Sequence, residues 1–188
     1  MNLVCFTEEQ SAKEMLQIVL PKILPDNYRL SQIITFEGKS DLDRQIEKKL
    51  KNYNTPNTVF LILRDQDSAD CIEIKERLLS KVENSGKKNV SIIRIACHEL
   101  ENFYLGDLLA VERAFNKKLP QRQTSTKFRN ADNLANAKQE LNKITDKKYQ
   151  PISGSKTISL YLKLDNSNTS TSFNTLLSGV QKLCATQP

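Results

Sequence analysis

Apolar residues along the chain follow two rhythms. Four short runs are almost continuously apolar and rich in branched and aromatic side chains: residues 2–7 (NLVCFT), 30–36 (LSQIITF), 58–63 (TVFLIL) and 90–97 (VSIIRIAC). Such runs predict strands buried on both faces of a sheet, and 58–63, the most apolar, is expected at its centre. Elsewhere apolar residues recur every three or four positions, which predicts helices. One covers 11–24 through Met15, Ile18, Val19 and Ile23, with Pro21 ending or kinking it. A second covers 41–53 through Leu42, Ile46 and Leu50, behind Ser40 as N-cap candidate. A third covers 69–83 with Ile72, Leu78, Leu79 and Val82 turned inward. A fourth covers 98–115, with Gly106 as its break point.

Strand and helix alternate through this first part. That order predicts an α/β fold with a mainly parallel sheet of about four strands flanked by helices. Residues 1–110 are read as this core and 111–188 as a basic, mostly helical extension packed on it. Within the extension, 116–130 is polar and predicts a loop or mobile insertion. Helices are expected at 132–144 and 172–184, loop at 149–156, and a short strand or helix at 157–164.

Charge divides along the same boundary. Residues 1–110 carry a net −2 and residues 111–188 a net +8, so the second part holds all of the chain's excess of +6. A basic extension beside a near-neutral core suits a polyanionic partner, although a solvated surface gives the same pattern. No apolar run nears the roughly 20 residues of a membrane span, and Glu8 and Glu9 interrupt any leader-like start. A cytoplasmic protein without a membrane partner is therefore expected. The four cysteines form no CxxC pair and there is one histidine, which argues against structural zinc. Gly-x-x-x-x-Gly-Lys is absent, so no nucleoside triphosphatase activity is expected from this chain.

In an open parallel sheet, ligands bind beyond the carboxyl ends of the strands. The first predicted strand ends at Glu8 and Glu9, the third at Asp65 and Asp67, the fourth at His98, Glu99 and Glu101. Like charges gathered at one edge raise one another's pKa unless something compensates, and a bound cation is one such compensation. Oxygen donors with little nitrogen or sulfur suit Mg²⁺ or Mn²⁺. The alternative for the Asp65-Gln66-Asp67 run is helix capping, by Asp67 or Ser68.

A Glu closing the first strand and Asp-x-Asp closing the third resemble the TOPRIM domain of topoisomerases, DnaG-type primases and overcoming-lysogenization-defect nucleases. Phe6-Thr7-Glu8-Glu9-Gln10-Ser11-Ala12 aligns Glu8 and Ser11 with the domain's Glu and Ser, while Glu9 replaces its Gly and Ala12 its following acid. A narrower similarity lies in His98-Glu99-Leu100-Glu101-Asn102-Phe103-Tyr104-Leu105-Gly106-Asp107. It resembles the His-Glu-Leu-Glu-x-aromatic-x-Leu-x-Asp signature of a TOPRIM-like bacterial family long of unknown function. The segment from Lys147 to Tyr161 and the run Ser170-Thr171-Ser172-Phe173 resemble the same family. Its members are often encoded beside ABC- or SMC-type ATPases in phage-defence arrangements.

The resemblance implies a TOPRIM-like fold in which Glu8, Asp65 and Asp67 bind metal and act in catalysis, with Glu99 or Glu101 completing a second site. Helical spacing slightly favours Glu101. Lys156 is the candidate transition-state cation, His98 a candidate base. Lys117, Lys118, Arg122, Lys127, Arg129, Lys147 and Lys148 are candidate contacts to DNA or RNA. No residue is placed to serve as a topoisomerase-style tyrosine, so hydrolysis is expected rather than transesterification. Two alternatives stay open: a non-catalytic subunit that binds and regulates an ATPase, and an enzyme acting on a small phosphate. Exposed apolar helix residues also leave a homodimer open.

Overall fold

A computed structural model describes residues 1–186 of the chain. Four parallel strands, β1 (Asn2–Thr7), β2 (Arg29–Thr35), β3 (Thr58–Asp65) and β4 (Ser91–Ala96), form one sheet in the order β2-β1-β3-β4. The predicted α/β class holds, and the architecture is Rossmann-like. β1 and β3 occupy the centre, where helices cover both faces, so almost every side chain of β3 is buried. This is why their sequences are continuously apolar rather than alternating.

Side-chain alternation divides the core. Leu3, Cys5, Leu61 and Leu63 face one side, against α1 (Gln10–Val19), α4 (Glu101–Leu105), α5 (Leu108–Phe115), α6 (Ala137–Ile144), α7 (Pro151–Ser159) and α8 (Thr171–Ala185). Val4, Phe6, Phe60 and Ile62 face the other, against α2 (Lys39–Lys51) and α3 (Cys71–Asn84). Residues past 110, among them Phe128, Leu141, Ile158 and Phe173, enter the same cluster as β1 and β3. No helix of the described residues is long and apolar enough to cross a membrane.

Several expectations are corrected. α1 ends at Val19, and Pro21 lies in a 3-10 turn over Leu20–Lys22. Gly38 rather than Ser40 precedes α2, with φ +87° that favours glycine. Of the four α3 residues expected inward, Leu78 and Val82 are buried but Ile72 and Leu79 are exposed. The helix expected from 132 starts at Ala137, after a 3-10 turn over Ala131–Asn133. The loop expected over 149–156 is largely helix, since α7 begins at Pro151, where proline's missing N–H costs nothing. The 116–130 segment is irregular as expected, but Gln123 anchors it by donating to Leu105 O and accepting from Leu108 N. The predicted break at Gly106 does separate α4 from α5.

Candidate functional site

Because all four strands are parallel, β1, β3 and β4 deliver their carboxyl ends to one edge. The turns there are locked together. Gln66 N donates to Ala96 O at 2.9 Å, Asp67 N to His98 O at 2.7 Å, and His98 N to Gln66 Oε1 at 3.2 Å. Asp67 and His98 both take left-handed backbone, φ +55° and +56°, an uncommon conformation held here by those bonds. Gln66 thus ties the two turns, while Asp67 is turned the other way. Asp67 does not cap α3 and nor does Ser68. That role falls to Asp70, whose carboxylate accepts from Ile72 N and Glu73 N.

Five carboxylates gather at this edge, and their environments differ. Burial raises the Asp65 carboxyl well above its usual range, and the charges of Glu9, Glu8 and Glu101 add to this. The N–H of Leu100, 3.0 Å from Asp65 Oδ2, works against it. Glu8 is pushed up to about 7 by burial and by Asp67, with Arg64 pulling the other way. Its Oε2 is buried without a hydrogen-bond partner. Glu101 is 3% exposed and raised by burial, partly offset by the hydroxyl that Tyr149 donates at 2.9 Å. Asp67 is more open and pairs with Lys39 Nζ at 2.7 Å. Glu9 accepts from Ser11 Oγ.

Glu8, Asp65, Asp67 and Glu101 therefore share one edge. Glu99 does not join them, for its Oε2 accepts from Lys138 N at 2.8 Å and satisfies the first turn of α6. His98 lies between the turns, its Nδ1 3.4 Å from Asp67 O. Lys156 is exposed on α7 and makes no ion pair or hydrogen bond with an acid of the edge among the described residues. Of the basic candidates, Lys117 pairs with Asp146 at 2.6 Å and Lys127 with Glu140 at 2.5 Å. Lys118, Arg122, Arg129, Lys147 and Lys148 are exposed.

Glu9, at the end of the first strand as expected, raises both Asp65 and Glu101 by its charge. Three further members of the site were not expected from the sequence. Lys39 reaches Asp67 from the first residue of α2. Arg64, 4% exposed, forms ion pairs through Nε with Glu8 at 3.9 Å and Asp43 at 3.6 Å, while Nε and Nη1 have no hydrogen-bond partner. Tyr149 comes from the C-terminal part.

The donor chemistry is all oxygen, which fits Mg²⁺ or Mn²⁺. Among the described residues, however, no three acids, histidines or cysteines are posed as a metal cage. Lys39, Leu100 N–H, Tyr149 and Ser11 each engage one of the acids.

The signature residues around the site also have structural tasks. Asn102 donates to Ala131 O and Leu134 O, and Asp107 caps α5 through Ala110 N. Ser170 caps α8 through Phe173 N, and Ser170 and Ser172 both donate to Asp132. The two bonds from Asn102 tie α4 to residues 131–134, and those from Ser170 and Ser172 tie the start of α8 to Asp132 beside them. No curated protein and no solved structure matches the chain. A family described as a domain of unknown function, DUF4276, matches residues 7–181, and the chain belongs to that family.

Proposed function

We propose that the protein is a Mg²⁺- or Mn²⁺-dependent, TOPRIM-like nuclease subunit that hydrolyses phosphodiester bonds in DNA or RNA, as the effector of an ABC- or SMC-type ATPase in phage defence. The observation that carries this reading is the Asp65 carboxyl, held well above its usual range by burial and by Glu9, Glu8 and Glu101 at the carboxyl edge of a parallel sheet. A fold does not keep uncompensated acids together for stability alone. Glu8, Asp65 and Asp67 would hold the metal, and Glu9 or Glu101 would complete its shell. When bound, the ion neutralises the scissile phosphate and lowers the pKa of an attacking water.

The chain's own residues supply the rest. Without metal, burial and Asp67 push Glu8 up to about 7, so it would give up a proton near neutral pH as it takes up the ion. Lys39, released from Asp67, would offer a cation to a non-bridging phosphate oxygen, and Lys156 on α7 a second one. The exposed Lys118, Arg122, Arg129, Lys147 and Lys148 are left for backbone phosphates farther along the strand.

A second reading has its own observation. Asp65, Asp67, Glu9 and Glu101 each already engage a donor of the chain, as in a subunit that is silent until another protein rearranges it, or in one that never cleaves. Incubating plasmid DNA and tRNA with the full chain and Mg²⁺ or Mn²⁺, beside an Asp65→Ala, Asp67→Ala variant, separates these. Cleavage lost in the variant supports a nuclease that works alone. Metal binding by calorimetry without cleavage supports an effector awaiting its ATPase. The absence of both cleavage and metal binding would overturn the metal-dependent nuclease reading and favour the subunit that never cleaves.

A further inference from the structure

β4 is an edge strand, and beside it runs a groove of about 590 Å³ between α3 and the start of α8. Its α3 wall is formed by Ile72, Lys75, Glu76 and Leu79. Ile72 is 63% exposed and Leu79 38%, although both are large aliphatic side chains on a helix that buries Ile74, Leu78 and Val82 elsewhere. The spacing i, i+3, i+4, i+7 places the four on one stripe of α3, lateral to the face that packs on the sheet. Exposed apolar residues clustered in this way and flanked by charges mark a contact surface.

The order of residues on the stripe identifies what it contacts. Read in either direction, it runs apolar, charged, oppositely charged, apolar. If a second α3 lies antiparallel across it, about a two-fold axis between Lys75 and Glu76, then Ile72 meets Leu79 of the second copy. Lys75 meets Glu76 of the second copy, and each contact occurs twice. A two-fold interface must be self-complementary in this sense, whereas a foreign partner imposes no such symmetry.

The strand edge argues the same way. Ala96 O faces β3, where it accepts from Gln66 N, so by alternation Ile93, Ile95 and Cys97 turn their polar groups to the open side. There Arg94 Nη1 donates to Ile93 O at 2.8 Å and Cys97 N donates to Ser172 Oγ at 3.3 Å. Arg94 and Ser172 thus blunt two points of this edge, which lowers its capacity to template an added strand.

We infer that the chain forms a homodimer through antiparallel pairing of α3 stripes, Ile72 on Leu79 and Lys75 on Glu76. The antiparallel arrangement sends the two acid edges to opposite ends of the dimer, so the inference is independent of the proposed chemistry.

Sedimentation of the full chain over a dilution series tests it. The wild type is expected to be a dimer, and Ile72→Asp with Leu79→Asp a folded monomer, since these exposed positions carry no core packing. Lys75→Glu and Glu76→Lys each place like charges opposite one another and are expected to weaken association about tenfold. The double exchange Lys75→Glu, Glu76→Lys restores opposite charges and is expected to recover wild-type association. A wild type that stays monomeric at every concentration overturns the inference and assigns the groove to another partner. So does a dimer that survives Ile72→Asp, Leu79→Asp, or a double exchange no tighter than the single ones.

Discussion

Tyr149 donates its phenolic hydrogen to Glu101 Oε1 across 2.9 Å, and both side chains are buried. The bond links the last loop before α7 to the first residue of α4. It fixes one acid of the site from a point 48 residues away in sequence. The ring of Tyr149 is itself seated on Gly154, where an added Cβ would come within 2.4 Å of it. The C-terminal part is thereby built into the site, beyond any part it has in contacting a polyanion.

Tyr149→Phe removes the donor and leaves a buried carboxyl oxygen without it. The expected loss is about 1–3 kcal/mol. Because the hydroxyl favours the charged form of Glu101, the loss is expected to be larger at pH 8 than at pH 5. Chemical denaturation of wild type and variant at both pH values checks this. An equal loss at both would show that the bond does not bear on the ionisation of Glu101.

The raised acids fix the sign of the pH dependence. Glu8 has its folded pKa at about 7 against an ordinary 4.5, and burial is the first cause. Folding therefore takes up protons in that interval. The favourable contribution is whole below about 4.5 and is lost as pH rises through about 7. For Glu8 alone the loss is on the order of 2–3 kcal/mol, and Asp65 and Glu101 act in the same direction. The melting temperature, measured without divalent metal, is expected to fall from pH 5 to pH 8. Glu8→Gln is expected to flatten the slope. A slope unchanged in that variant would place the titration elsewhere.

Asp65→Asn keeps an oxygen for Leu100 N–H and removes a charge from among Glu8, Glu9 and Glu101. Without metal the variant is expected to be more stable than wild type by about 1 kcal/mol. Mg²⁺ or Mn²⁺ is expected to raise the melting temperature of the wild type and leave the variant unmoved. Thermal melts with and without the ion, or with a chelator, decide it. A variant that melts lower without metal would mean that Asp65 serves the fold through its Leu100 contact.

What the sequence disclosed follows from how local each signal is. β3 was legible because the six residues 58–63 share one buried environment, and Glu8, Asp65 and Asp67 because they follow such runs. α7 was not legible, because Ser153, Gly154 and Ser155 are poor helix formers. It is packing of α7 on α1 and of Gly154 under Tyr149 that makes the segment helical. Ile72 and Leu79 fit the helical period but lie on a second stripe, which periodicity alone does not separate from the core face. Lys39 and Tyr149 reach the acids only through tertiary approach, Lys39 from 28 residues before Asp67, and nothing in their neighbours marks them.

Gly106 offers a test of the packing that holds residues 98–107 to the C-terminal part. Its backbone is ordinary right-handed, φ −73°, so alanine meets no conformational strain there. On backbone entropy alone Gly106→Ala is expected to stabilise by about 0.4–1 kcal/mol. A Cβ at this position, however, would lie 1.9 Å from Asn168 Oδ1 and 2.8 Å from Ser170 N. Neither neighbour yields easily. Asn168 is 4% exposed, donates to Phe103 O at 2.9 Å and accepts from Ser170 N at 2.8 Å, and Ser170 caps α8. Overpacking is therefore expected to win, with a net loss of about 1–3 kcal/mol in a denaturation experiment. The sign is what matters. A stabilised variant would mean that the 168–170 turn can move away from α4 without loss, and that the contact does not clamp the two parts of the chain.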